Sequence, residues 1–238
     1  MITMQIEGFQ VYVTDTHRCA CYLVETSKKR VLIDTSMQFE RNTVMKCIQK
    51  TGTKGIDAIF LTHSHTDHVA NALYFSNILN CEVYISKKGI RNMKNGHCNM
   101  PKGTNALSKG IYWAESRLPI YNFTQFHPCP QVRILNDEVV TYYLGDSAEL
   151  LETPGHTDDS ISILLKRKIA IVGDLMVNTF GNLYPPFADD ESALNISWKA
   201  LLNTRCNVFL PAHGRPIHRK KLISSYKNHF LYASKVHS

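Results

Sequence analysis

The stretch LTHSHTDHVANAL, residues 61–73, sets three histidines and an aspartate within six consecutive positions. It restricts the chain to folds in which a strand end can present several ligands at once. In an extended segment His63 and His65 point to the same side. Asp67 and His68 follow where the strand gives way to a helix, so they project from a turn toward a neighbouring point. The preceding run IDAIFLT (56–62) reads as a short buried strand, and residues 68–79 read as a helix. Four donors at this spacing could serve two adjacent cations but would leave both under-coordinated. Further ligands must therefore come from distant parts of the chain. Three candidates each follow an apolar, strand-like run: His156 in LLETPGHTDDS, Asp174 in IAIVGDLM and His213 in VFLPAHGRP. Neutral imidazole and carboxylate suit zinc, and they also accommodate iron or manganese.

The remaining pattern supplies the scaffold. FQVYVT (9–14), CACYLVET (19–26) and VLIDTS (31–36) read as successive strands, followed by a helix over 40–51 and, after the 68–79 helix, by a strand at CEVYIS (81–86). Residues 87–130 carry polar turns, one helix near 104–116 and several aromatics. The segment is too long for an ordinary connection, so it reads as a lid whose Tyr112, Trp113, Tyr121 and Phe123 line a pocket or form a contact between two copies. Strand-like runs then resume at QVRILN, VVTYYLG, AELLETPG and SISILLKRKIAIVGD. A helix over 191–203, with Ser192 as its cap, precedes the strand CNVFLPAHG (206–214) and a final basic helix from about Arg219. Two mixed halves, each ending strands in histidine-bearing loops, describe one α/β domain over residues 1–238: a sandwich with helices outside.

Composition narrows the partners. A net charge of +7 raises nucleic acid, but the basic residues are dispersed apart from HRKK (218–221), which reads as a solvated face with some attraction for an anionic substrate. A small-molecule substrate is favoured and nucleic acid disfavoured. No apolar run reaches membrane-spanning length, and the first residues alternate like a strand without the basic and apolar regions of a leader. The seven cysteines are scattered and odd in number, which favours reduced thiols and a cytoplasmic location. His17, His97, His127, His218, His229 and His237 lack partner spacing and read as surface or packing residues.

The order His-x-His-x-Asp-His followed by single His, Asp and His residues resembles the metallo-β-lactamase superfamily. The likeness runs from VLIDTS to LPAHG. It implies an αββα sandwich with two metals at one edge of the sheets. His63, His65 and His156 would bind one ion, Asp67, His68 and His213 the other, and Asp174 would bridge them with a hydroxide. Asp67 would also orient that hydroxide, and Asp34 would support the site from its loop. A bridging aspartate is expected in glyoxalase II-like thioesterases, lactonases and phosphodiesterases but not in true β-lactamases. His65 stands where flavodiiron proteins carry glutamate. The resemblance thus implies a binuclear hydrolase, with zinc first among its metals, acting on a small ester, thioester or lactone. The alternatives are a phosphodiesterase or nuclease, and a persulfide dioxygenase with one iron held through His63, His156 and Asp174.

Overall fold

A computed structural model describes residues 2–14, 16–52, 55–117, 124–179 and 181–232. Seven strands form the first sheet in chain order: β1 (Ile2–Ile6), β2 (Phe9–Val13), β3 (Tyr22–Glu25), β4 (Arg30–Ile33), β5 (Ala58–Phe60), β6 (Glu82–Ile85) and β7 (Arg133–Ile134). The first four pair antiparallel, and the β4–β7 pairs are parallel. The second sheet runs β12 (Ile217–His218), β11 (Val208–Pro211), β10 (Ile169–Gly173), β9 (Ile161–Leu165) and β8 (Ala148–Glu152). Only its β10–β11 pair is parallel.

The alternation of the strands produces the layers. Val31, Ile33, Ala58 and Phe60 face the second sheet and meet Ile161, Ile163, Ile169, Ile171 and Leu210 in a buried inter-sheet core. Their neighbours Leu32, Ile59 and Leu61 point outward. There they are covered by α1 (Arg41–Lys50), α2 (Thr66–Val69), α3 (Ala72–Leu79) and α4 (Ile90–Asn95), through residues such as Val44, Val69, Phe75 and Met93. Both faces of these strands are dry, which is why they read as continuous apolar runs. The second sheet is covered in the same way, Ala170, Val172 and Phe209 packing on Leu194, Trp198, Leu201 and Leu222 of the two C-terminal helices. The result is helix, sheet, sheet, helix.

Four local expectations differ from the structure. VVTYYLG, read as a strand, lies mostly in a helix, α6 (Asp137–Leu144), which follows α5 (Ala106–Arg117). Its β-branched and aromatic content favours a strand, but the end signals prevail. The Asn136 side chain caps Val139 N–H, Asp137 and Glu138 occupy the first turn, and Gly145 follows the last. Val140, Tyr143 and Leu144, at helical spacing, then enter the inter-sheet core. The 68–79 helix is two pieces, α2 and α3. The 191–203 helix, α7 (Glu191–Asn203), is capped by Asp190, whose carboxylate accepts from Ser192 and Ala193 N–H, rather than by Ser192. Basic HRKK opens α8 (Arg219–Tyr226), but its Arg219 guanidinium donates to the Leu202, Thr204 and Cys206 carbonyls at the end of α7. That cation closes a helix C-terminus.

All seven cysteines are buried, free thiols. Among the described residues no helix is long and apolar enough to cross a membrane.

Candidate metal centre

Strand direction decides where the chemistry lies. β4, β5 and β6 are parallel, and their C-terminal ends share one edge of the first sheet. β8, β10 and β11 likewise end together in the second. Two backbone hydrogen bonds among the described residues join these edges: Ile161 N–H to Thr62 C=O (2.9 Å) and Ala20 N–H to Ala212 C=O (2.8 Å). Residues just beyond strand ends therefore meet, the usual place for a site in α/β sheets. His63 to His68 follow β5, His156 follows β8, Asp174 follows β10 and His213 follows β11.

Two glycines permit the close approach. Gly173 has φ +52°, and a Cβ there would lie 2.7 Å from Thr62 Oγ1. Gly155 has φ +138°, and its Cβ would lie 2.5 Å from the Leu194 backbone. A side chain at either would displace Asp174 or His156, its immediate neighbour.

The seven side chains gather into two groups able to hold a metal, His63–His65–His156 and Asp67–His68–Asp174–His213; within each group the donor atoms lie within 4.8 Å of one another. In the first, His65 Nδ1 lies 3.0 Å from His63 Nε2 and 2.9 Å from His156 Nε2. In the second, His213 Nε2 is 3.2 Å from both Asp67 Oδ2 and Asp174 Oδ2, while Asp174 Oδ1 is 3.4 Å from His68 Nε2. Asp174 also reaches the first group, its Oδ2 standing 3.6 Å from His156 Nε2.

Electrostatics sorts the histidines. Burial, reinforced by neighbouring imidazoles, holds His63 well below the ordinary value and His65 down at about 3, so both keep a free lone pair. For His213 burial acts downward too, but Asp174 and Asp67 outweigh it and push it up to about 10. His68 is likewise raised, Asp34 and Asp174 overcoming its burial. Burial would raise Asp67, yet His68 and His213 bring it down to about 2.

Surrounding groups fix the rings. Asp34, fully buried with φ +61°, accepts from Thr62 N–H (2.8 Å), Thr62 Oγ1 (2.8 Å) and His68 Nδ1 (2.9 Å). His156 Nδ1 donates to the Phe187 carbonyl at 2.8 Å. Ser160 Oγ bonds Thr157 within the His156 loop. Thr62 and the Phe187 carbonyl escape sequence reasoning, because neither a threonine nor a backbone oxygen carries a pattern. None of His17, His97, His127, His218 or His229 joins a metal-competent group among the described residues, and His237 lies outside them.

A cavity of about 610 Å³ opens over both groups. Its walls come from the β2–β3 loop (Arg18), from Met37 and Phe39, from Asn99, Met100, Pro101 and Ile111, and from Val177, Thr179, Pro185, Pro186 and Phe187. Trp113, expected to line it, is instead 58% exposed with the Arg117 guanidinium 4.5 Å over its ring. Helical geometry explains the difference, since Ile111 and Trp113 are about 200° apart around α5. Tyr112 borders a separate surface hollow, and Tyr121 and Phe123 lie outside the described residues.

Known proteins share this architecture. The chain is 29% identical over 196 residues to Probable metallo-hydrolase MJ0888 of Methanocaldococcus jannaschii, covering 81% of this chain and 86% of that one. It is 27% identical over 195 residues to metallo-beta-lactamase domain-containing protein 1 of Xenopus laevis, covering 78% and 66%. Its fold is similar to that of the metallo-beta-lactamase family protein TTHA1429 from Thermus thermophilus, with a TM-score of 0.70 at 18% identity over 97% of this chain and 82% of that one. A model of the metallo-beta-lactamase superfamily matches residues 14–213, so the chain belongs to that superfamily.

Proposed function

We propose that this metal-dependent hydrolase holds two divalent ions, zinc first among them, and cleaves a small ester, thioester or lactone. The observation that carries the reading is the pair of donor groups under one mostly apolar cavity, with Asp174 reaching both. The donor set fits such ions. It is all imidazole nitrogen and carboxylate oxygen, and the buried His68 Nε2 and Asp174 Oδ1 make no hydrogen bond among the described residues. Orphaned buried polar atoms are rare unless something else satisfies them. His63, His65 and His156 would hold one ion, Asp67, His68 and His213 the other, and Asp174 both.

When bound, a pair of such ions lowers the pKa of water toward neutrality and polarises a carbonyl oxygen. The chain's own residues then position the reactants. Asp67, partly exposed to the cavity and held at about 2, is too weak a base to keep a proton. It orients the attacking water by accepting its hydrogen bond. The water oxygen joins the acyl carbon, the bond to the alcohol or thiol breaks, and the leaving group takes the proton. The 87–130 segment, which gives the cavity Asn99, Met100, Pro101 and Ile111, would act as a lid that excludes bulk water and, with Val177, Thr179 and Pro185 to Phe187, selects the acyl and leaving groups.

The test is a screen of metal-reconstituted protein against thioesters, lactones and phosphodiesters, with metal analysis. Two ions per chain and chelator-sensitive hydrolysis of the first two classes are expected. Activity confined to phosphodiesters, or one iron with persulfide oxidation, would replace the reading.

Metal loading is expected to depend on protons. In the metal-free protein His213 is protonated up to about pH 10 and contributes stability that is complete below the ordinary imidazole value and lost as pH rises through 10. Zinc binding at pH 8 should therefore release at least one proton, and affinity should rise with pH. Calorimetry in buffers of different ionisation enthalpy reads this directly. Proton-neutral binding would contradict it.

A further inference from the structure

Arg18 supplies the lone lysine or arginine side chain among the described residues lining the cavity, whose walls are otherwise mostly apolar. Its guanidinium makes no ion pair among the described residues. Its backbone is held firmly. The carboxylate of Glu40, itself only 4% exposed, accepts from the His17 and Arg18 N–H groups and from Ser36 Oγ. A buried acid thus ties the β2–β3 loop to the segment carrying Met37 and Phe39, which form the adjoining wall. This anchors the main chain from which the Arg18 side chain, itself exposed, reaches the cavity wall.

A cation beside low-dielectric walls concentrates potential in the space they enclose. Guanidinium presents a planar fork that matches a carboxylate through two parallel hydrogen bonds. One such group balances one negative charge. We propose that Arg18 is a specificity-determining residue that binds a carboxylate on the substrate, so the natural substrate is a small ester, thioester or lactone bearing a free carboxylate on an apolar body. The assignment rests on the hydrolytic reading above for its ester, but the anion-binding role stands on the cavity and on Arg18 alone.

Two measurements keep these separate. The first uses zinc-loaded protein with 3-carboxyphenyl butyrate and monophenyl adipate, each compared with its primary carboxamide. The wild type should favour at least one carboxylate over its amide in kcat/KM by roughly tenfold or more, as expected for a charge-assisted pair. That ratio should collapse toward unity in Arg18→Ala and survive in part in Arg18→Lys, with metal content and melting temperature unaltered. The second needs no turnover: equilibrium binding of 6-phenylhexanoate and its amide to the zinc-loaded protein. If no ester is cleaved but the acid binds Arg18→Ala at least about tenfold more weakly, hydrolysis fails and anion recognition stands. Equal carboxylate-to-amide ratios in wild type and Arg18→Ala would overturn the Arg18 assignment while leaving hydrolysis intact. Equal binding of the acid to both proteins would overturn it too, the carboxylate then sitting on the metals.

Discussion

Asp174→Ala is expected to lose bound metal and activity together, with kcat/KM falling on the order of 10³-fold or more, the scale seen when charge stabilisation is removed from a transition state. The carboxylate stands within 3.2–3.6 Å of His213, His68 and His156 nitrogens, so it reaches both donor groups. Two cations a few ångströms apart repel strongly, and a shared anion between them offsets that repulsion. Without it the remaining imidazoles could retain one ion at most. The fold should survive, because the inter-sheet core is built from residues such as Phe60, Ile163 and Leu210 and does not include this side chain. Metal analysis, circular dichroism and turnover on one preparation decide the matter. Normal metal content with full activity would refute a bridging role, and a collapsed fold would make Asp174 a structural residue.

Asp34→Ala should damage stability and metal affinity at once. The carboxylate is completely buried and accepts three hydrogen bonds, two from Thr62 and one from His68 Nδ1. Removing it orphans those donors and leaves the raised His68 without its main counter-charge. Breaking one side of a buried pair typically costs about 3–5 kcal/mol. Loss of the group that orients a metal-binding imidazole costs a further 10–100-fold in metal affinity, in order of magnitude. Alanine also fits poorly at φ +61°, where aspartate and asparagine are tolerated. Asp34→Asn should therefore retain more stability than alanine while still weakening metal binding. Denaturant titration and competition with a chromogenic chelator measure the two effects. A variant with wild-type stability would show that the pair contributes nothing net.

The sequence made the donors visible because their chemistry is local. His63, His65, Asp67 and His68 occupy one turn of chain, and His156, Asp174 and His213 each follow a strand-like run, buried throughout in β10 and only partly in β8. Layer order followed from the same runs. Elsewhere tertiary context prevailed. VVTYYLG has the composition of a strand, and its helix depends on the capping residue Asn136 and on a place between the sheets for Tyr143 and Leu144. The cavity walls were harder still. Met37, Met100, Ile111 and Phe187 are ordinary apolar residues from separate loops, and only the folded backbone makes them neighbours. Even where a wall helix was anticipated, its orientation was not. A preference for Trp113 over Ile111 is a choice between faces, and in α5, whose one buried side chain is Ser108, no strong amphipathic stripe marks the inner face.

Each donor group draws on both sheets. His63 and His65 follow a strand of the first and His156 one of the second; Asp67 and His68 face Asp174 and His213 across the same divide. An ion in either group would act as a rivet between the two halves of the molecule. The sheets could then part at that edge only by breaking coordinate bonds, so metal should slow unfolding as well as shift its equilibrium. Conversely, a nascent chain completes the first group only when His156 has docked against the 63–68 segment, and the second only when His213 has. Metal retention would therefore report that the two halves have met in register, a quality check written into the ligand order itself.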